Sequence, residues 1–136
     1  MSKRSKRDER NLDIAKKLAK NLIAHRIWSR LTQTQMGDII GVSFQQYQKM
    51  EKCVNRIYAE DLQRICEENK WDITMMYADS DVMLDEWMQR DYPNNRAIPR
   101  EYEQVKEMWK KAEISADKYY KRRTERLYNV MTNREE

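Results

Sequence analysis

The residues best suited to contact another molecule lie in the stretch SFQQYQKMEKCVNR, residues 43–56. Tyr47 and Met50 are three residues apart and can face inward on a helix, which leaves amide and ammonium groups at helical spacing on the opposite face: Gln45, Gln48, Lys49 and Lys52. Glutamine can form paired hydrogen bonds with adenine, and lysine can donate to guanine. The pattern therefore predicts a polar helix suited to the major groove of a duplex.

Little in the sequence could carry catalysis or hold a metal. His25 is the only histidine, and neither Cys53 nor Cys66 lies at ligand spacing from it. The sequence has no glycine-rich phosphate loop and no nucleophile–base arrangement. We therefore predict no catalytic residue, no metal and no cofactor, and we expect His25 to be structural or exposed.

Composition favours a small helical protein. A chain of 136 residues suits one domain with an appendage, and 37% charged residues with only two glycines and two prolines favour long helices over sheets. No segment approaches the roughly 18 apolar residues of a membrane span. The two cysteines form no CxxC pair. We expect a reduced, cytoplasmic, all-α protein with no membrane partner.

Hydrophobic periodicity and capping signals place the helices that would hold the polar face. A first helix is predicted for about residues 12–29, and Thr32 begins a second that ends at Gly41, since glycine adopts the left-handed conformation at little cost. Ser43 begins a third helix almost at once, so the two helices must cross at a steep angle. This is a helix-turn-helix, with a fourth helix expected over residues 59–69 and a short fifth after it.

Residues 26–77 resemble the DNA-binding domain of the Cro/phage-repressor (XRE-like) transcriptional regulators. The resemblance is carried by an arginine before LTQ, then Gly-Val-Ser, a glutamine-rich helix, Glu and NRI, and it covers about half the chain. It implies a five-helix repressor-type helix-turn-helix domain over residues 12–78. It also implies a sequence-specific regulator of prokaryotic or phage origin that binds double-stranded DNA at the nucleoid.

The resemblance assigns roles to individual residues. It implies base reading by Ser43, Phe44, Gln45 and Lys49, with Gln46 and Gln48 near flanking phosphates or bases. Phe44 could contact a thymine methyl group or pack as a helix staple. Phosphate contacts are implied for four further residues: Gln33, Lys52, Asn55 and Arg56.

Two positions of this resemblance concern the scaffold. Arg26 and Glu51 match a buried ion pair that ties the first helix to the third, and the alternative is two solvated charges. Cys53 stands where the family usually has glycine. It must therefore adopt a costly left-handed backbone, or the loop must take another path.

The N-terminal segment is strongly basic. Five of the first ten residues are lysine or arginine, and nothing apolar follows Met1 until Leu12, which predicts a disordered arm over residues 1–11. Its basic side chains would reach phosphates or the minor groove: Lys3, Arg4, Lys6 and Arg7. The alternative is a solvated tail.

Beyond residue 78 the sequence predicts a C-terminal helical extension. A short helix and linker occupy residues 79–98, with an apolar face of Val82, Leu84, Trp87 and Met88, and one long helix spans residues 99–132. The long helix carries an apolar stripe that we expect to mediate dimerisation: Tyr102, Val105, Trp109, Ala112, Ala116 and Tyr120. The stripe would pack on residues 82–88, on a second copy, or on both. The alternative is a monomer whose last helix folds back over its own core.

These observations lead to two functional hypotheses. The first is a repressor that binds a palindromic operator as a homodimer, because a two-fold axis lets two recognition helices read two half-sites. The second is the antitoxin of a toxin–antitoxin module, which would regulate its own operon and bind a protein partner, the toxin, through its C-terminal segment.

Overall fold

The computed structural model describes residues 2–94 and 97–133, with the side chains of residues 2–9, 123, 124 and 133 excepted. Within that part no strand is present, which confirms the all-α prediction. The elements are α1 (Ser2–Trp28), α2 (Gln33–Ile40), α3 (Phe44–Glu51), α4 (Ala59–Asn69), a 3₁₀ helix (Ile73–Tyr77), α5 (Ser80–Asp91) and α6 (Arg100–Asn133). Among the described residues, no helix is both long enough and apolar enough to cross a membrane.

Thr32 and Ser43 begin the two helices of the helix-turn-helix as predicted, and each forms a capping box. The Thr32 hydroxyl accepts a hydrogen bond from the Gln35 backbone N–H, and the Gln35 side chain accepts one in return from the Thr32 backbone. Ser43 and Gln46 form the same reciprocal pair at the start of α3. Gly41 ends α2 with φ of 71°, in the left-handed region expected of a helix C-cap.

The second glycine has a packing role for which the sequence offered no signal. Gly37 is buried in α2, and a Cβ atom there would lie 2.9 Å from the backbone carbonyl oxygen of Val42. The turn after Gly41 therefore folds directly against α2. Only a residue without a side chain permits so close an approach.

The conformation predicted for the N-terminal segment was wrong. The segment 2–11, expected to be a disordered arm, is the first part of α1, which begins at Ser2 instead of near residue 12. Lysine, arginine and glutamate are good helix formers, and a helix already nucleated by a packed segment propagates at little cost. The side chains of Lys3, Arg4, Lys6 and Arg7 lie outside the described ones.

Two apolar clusters meet along α1. The first lies beneath the helix-turn-helix and contains Leu22 of α1 with buried side chains of the following elements: Met36, Tyr47, Met50, Leu62, Ile65, Cys66 and Met76. The second joins Ile23, Ala24 and Ile27 of α1 to side chains of α5 and α6: Met83, Leu84, Val105, Trp109 and Ala112. The helix-turn-helix and the C-terminal extension therefore share α1 as a common support.

The apolar stripe of α6 is used inside the chain, which corrects the predicted dimer surface. Val105, Trp109, Ala112 and Ala116 are buried against other parts of the same chain, and the Trp109 indole donates a hydrogen bond to the Lys20 carbonyl oxygen at 2.7 Å. The flanking Tyr102 and Tyr120 are half-buried. Side chains already covered in this way cannot also form the contact between two copies. The last helix folds back over its own core, as the alternative held.

The face of α5 also differs from the prediction. Asp79 caps the helix, and Val82 is 54% exposed while Met83 and Leu84 are buried. Apolar residues at positions 82, 83 and 84 fit either of two helix faces. Packing against α1 and α6 selects the face that carries Met83.

Candidate nucleic-acid interface

The outward face of α3 is the polar surface predicted from the sequence. Gln45 and Lys49 are exposed, Gln48 is half-buried, and Tyr47 and Met50 are buried on the opposite side. Among the described residues, the side chains of Gln45, Gln48 and Lys49 make no hydrogen bond or ion pair. Their donors and acceptors are therefore available to a ligand.

Phe44 begins α3 and remains 41% exposed. This exposure is compatible with both predicted roles of Phe44, contact with an apolar group of a ligand and packing as a helix staple.

Ser43 and Gln46 are partly committed to holding the helix. The Gln46 side-chain oxygen accepts from the Ser43 N–H at 3.1 Å, which uses one of its two lone pairs and leaves the other for a ligand. Its N–H₂ group can still donate.

The orientation of α3 depends on a buried ion pair between Arg26 and Glu51, which the structure contains as predicted. Arg26 Nε lies 2.7 Å from Glu51 Oε2, and Nη2 lies 3.0 Å from Oε1. The residues are 8% and 1% exposed. Arg26 also donates from Nη1 to the Leu31 carbonyl oxygen at 3.1 Å. The end of α3 is thus held to α1 and to the segment before α2.

Gln33 adds a third donor to the same carboxylate. Its Nε2 atom lies 3.0 Å from Glu51 Oε1, so the first residue of α2 is tied to the last residue of α3. One amide hydrogen remains for the predicted phosphate contact, because a carboxamide nitrogen carries two. The nearby Tyr47 hydroxyl has its pKa raised well above its ordinary value by burial and by the negative charge of Glu51, so it stays neutral.

The loop after α3 settles the two alternatives stated for Cys53. Its φ is 60°, so the residue adopts the left-handed backbone, and its side chain is buried beside Ala19 and Ala116. Burial raises the pKa of the Cys53 thiol to about 11, which keeps it protonated and unreactive.

The same loop presents two of the predicted phosphate-binding side chains. The backbone N–H groups of Val54 and Asn55 both donate to the Lys49 carbonyl oxygen, at 2.9 and 3.2 Å, which folds the chain tightly around the end of α3. The side chains of Asn55 and Arg56 are exposed, and Lys52 is half-buried. In the described part of the chain these three side chains have no partner.

The outward face of α3 and the loop after it therefore carry side chains suited to binding. Amide, ammonium and guanidinium donors project from a convex helix and the adjoining loop. No group of three or more histidine, cysteine, aspartate or glutamate residues in the described ranges could hold a metal ion. His25, the one histidine, is buried, with Nδ1 2.7 Å from the Asn21 carbonyl oxygen and its ring against Trp71 and Trp87.

A cleft of about 800 Å³ opens beside this surface, between α1, the loop after α3 and α6. Ile14, Tyr58 and Tyr119 contribute apolar surface to it, and Gln46 and Arg56 lie at its wall. No local signal in the sequence could have identified this cleft, because its walls come from residues more than 100 positions apart.

Comparison with known proteins gives two relatives from Sinorhizobium fredii. One, named y4wC, is 44% identical over 55 residues, which are 40% of this chain and 38% of the relative. The other, named y4aM, is 50% identical over 40 residues, which are 29% of this chain and 28% of the relative. Both are named HTH-type transcriptional regulators.

The similarity to these regulators is partial. The chain matches less than two fifths of the length of either relative. No protein-family model matches it, and no solved structure does.

Proposed function

We propose that this protein is a sequence-specific DNA-binding transcriptional regulator of the Cro/phage-repressor type, located in the cytoplasm at the nucleoid and without catalytic activity. One observation carries the proposal: a short helix whose outward glutamine and lysine side chains are unpaired is held by a buried ion pair at its far end. Such a helix can enter a major groove without rearrangement. The names of the two relatives support the same class of function.

The same geometry supports base reading by Gln45, Gln48 and Lys49, with Ser43 and Phe44 at the start of the helix. Lys52, Asn55 and Arg56 would contact phosphates from the adjoining loop, and Gln33 would do so with its remaining amide hydrogen. Contacts to phosphates fix the register of a protein on the duplex, and contacts to bases determine its preference.

We further propose a repressor that acts as a homodimer on a palindromic operator. A helix of eight residues reaches few base pairs, and two copies related by a two-fold axis would read half-sites about 34–36 Å apart. Because the stripe on α6 is buried, another surface must join the copies. Tyr128 and Met131, three residues apart near the end of α6, are 55% and 53% exposed and supply apolar surface for that contact.

A second function, the antitoxin of a toxin–antitoxin module, would use the same exposed apolar end of α6 to bind a protein partner. Sedimentation of the isolated chain separates the two. A dimer at micromolar concentration supports self-association through this surface. A species of about 17 kDa at all concentrations would overturn the dimer and favour the protein partner.

Selection of bound duplexes from a random pool tests DNA recognition directly. The wild-type chain should enrich a common sequence, and a two-fold repeat within it would reveal the operator symmetry. Lys49→Ala should weaken or change this preference, whereas Lys110→Ala, on an exposed part of α6, serves as a control of equal charge. Failure of the wild-type chain to enrich any duplex would overturn the proposed function.

A further inference from the structure

The positive charge of the protein is concentrated at the two ends of the chain. Residues 2–11 carry five basic and two acidic side chains, and residues 117–133 carry the same numbers. Residues 12–116 carry 16 basic and 17 acidic side chains, a net charge of −1, although the whole chain has a net charge of +4. The helix-turn-helix domain, residues 12–78, has ten basic and eight acidic side chains, so its net charge is only +2, although duplex DNA is strongly anionic.

Folding brings the two basic ends together. Lys16 Nζ lies 2.6 Å from Asp117 Oδ1, and Lys20 Nζ lies 3.1 Å from Glu113 Oε1, so α1 and α6 run antiparallel. The beginning of α1 and the end of α6 must consequently leave the domain on the same side. We call these two segments, residues 2–11 and 117–133, the paired helix ends.

The paired helix ends start beside the candidate DNA surface. The cleft next to α3 is lined by Asn11 of α1 and Tyr119 of α6. Gln46 and Arg56, which adjoin the outward face of α3, also line it. From Ala116 to Asn133, α6 extends about 25 Å at 1.5 Å per residue. That length matches about seven base pairs at 3.4 Å per step.

The outer face of this part of α6 is basic. Lys118, Arg122 and Arg126 recur every four residues, in a row that turns from the side opposite to the buried Ala116, at Lys118, towards the side of Tyr119, at Arg126. All three are exposed and have no partner among the described residues. An evenly spaced row of cations with no acidic partner suits a polyanion of regular spacing, the phosphate backbone.

We propose that the paired helix ends form a second DNA-contacting surface, which binds the phosphate backbone of duplex DNA flanking the site read by α3. The surface contributes affinity and salt dependence without base preference, because phosphates carry no sequence information. This inference rests on the proposed function and adds a DNA-contacting surface that lies outside the helix-turn-helix.

The test compares two variants of equal charge on two duplexes. The first variant is Lys118→Ala/Arg122→Ala/Arg126→Ala. The control is Arg64→Ala/Arg100→Ala/Lys110→Ala, which removes three exposed, unpaired cations elsewhere in the described chain. The probes are a sequence selected by the wild-type chain and the same sequence with about ten extra base pairs at each end, a flank slightly longer than the reach of α6. Circular dichroism should show that both variants keep the helical content of the wild type, since alanine favours helix.

On the longer duplex, the first variant should reduce the magnitude of the negative slope of log K against log salt by up to about 2.7, at 0.9 per lost phosphate contact, and the control should match the wild type. On the shorter duplex all three proteins should agree. Equal slopes for all proteins on the longer duplex would overturn the flanking contact and leave DNA recognition standing. Equal losses by the first variant on both duplexes would also overturn it. Absence of binding by the wild type would overturn the proposed function together with this inference.

Discussion

Arg26 and Glu51 hold each other through two charge-assisted hydrogen bonds across the interior, at 2.7 and 3.0 Å, and thereby join α1 to the end of α3. Removing one partner of such a pair leaves an uncompensated buried charge. We expect Glu51→Ala to lower the free energy of unfolding by about 3–5 kcal/mol in urea titrations. Glu68→Ala, at an exposed position in α4, should change it by less than about 0.5 kcal/mol. A loss below about 1 kcal/mol for Glu51→Ala would mean that the pair behaves as solvated charges.

The two glycines should respond differently to alanine. The Cβ atom added by Gly41→Ala meets open space. This variant should therefore lose only the stability that a left-handed backbone costs an alanine residue, about 1–2 kcal/mol. Gly37→Ala places a Cβ atom 2.9 Å from the Val42 carbonyl oxygen, so the turn must move away from α2. We expect Gly37→Ala to reduce DNA affinity more than Gly41→Ala does, even where the two variants lose the same free energy of unfolding. The reason is that Gly37→Ala alters the angle between α2 and α3. Equal affinities for the two variants would contradict this view of Gly37.

Cys53 should show an unusual preference for glycine over alanine. At most buried sites alanine is the more stabilising of the two, but here φ is 60°, which costs a non-glycine residue about 1–2 kcal/mol. Cys53→Gly should therefore be more stable than Cys53→Ala by about 1 kcal/mol, although both lose the packing of the thiol against Ala19 and Ala116. Urea midpoints measure the difference. Greater stability of the alanine variant would show that the loop relaxes out of the left-handed conformation.

The stability of the protein should depend on pH through His25. Burial lowers the pKa of this imidazole below 6.5, and its hydrogen bond to the Asn21 carbonyl only partly opposes the effect. The unfolded chain therefore binds a proton at a pH where the folded chain does not, and the free energy of unfolding should fall as pH drops from above 6.5 towards the lowered pKa. The described rings around His25, Trp71 and Trp87, offer no counter-charge.

Denaturation at about pH 7.5 and pH 5.5, on either side of the ordinary histidine pKa, measures this loss. His25→Phe keeps an aromatic ring and removes the proton site, and it should remove the decrease between these two pH values. Since the chain has no other histidine, a decrease that persists in this variant would assign the pH dependence to other groups.

Lys49 should distinguish base reading from phosphate binding. Lys49→Ala should cost about 1–3 kcal/mol of binding free energy on the selected duplex and much less on a random one, as expected for a contact to a base edge. Fluorescence anisotropy with both duplexes measures the two losses. Equal losses would place Lys49 against a phosphate, where it would add affinity without preference.

The helix-turn-helix could be predicted closely because its signals are local. Thr32 with Gln35, and Ser43 with Gln46, are capping pairs within one turn of helix, and the left-handed C-cap of α2 follows from a single glycine. The burial of Tyr47 opposite Gln45 likewise follows from helical spacing alone. The ion pair of Arg26 was reached through resemblance to a family, since nothing local links residues 25 positions apart.

The C-terminal half was predicted less well because long-range packing decides it. An apolar stripe on α6 looks the same whether it meets α1 of its own chain or a second copy, and only the fold shows that Trp109 donates to the Lys20 carbonyl. The choice of Met83 over Val82 as a core residue of α5 depends on neighbours that sequence spacing cannot locate. The helical start of α1 was missed because a charged segment without apolar residues has no periodicity to detect.

The triple engagement of Glu51 by Arg26 and Gln33 separates two properties of the molecule. The tilt of α3 is set by bonds that converge on the buried Glu51 carboxylate, whereas the side chains of Gln45 and Lys49 make no hydrogen bond or ion pair within the described part of the chain. Exchange of these outward residues should consequently retarget the protein at almost no thermodynamic cost, so that mutational drift can explore new partners without passing through unfolded intermediates.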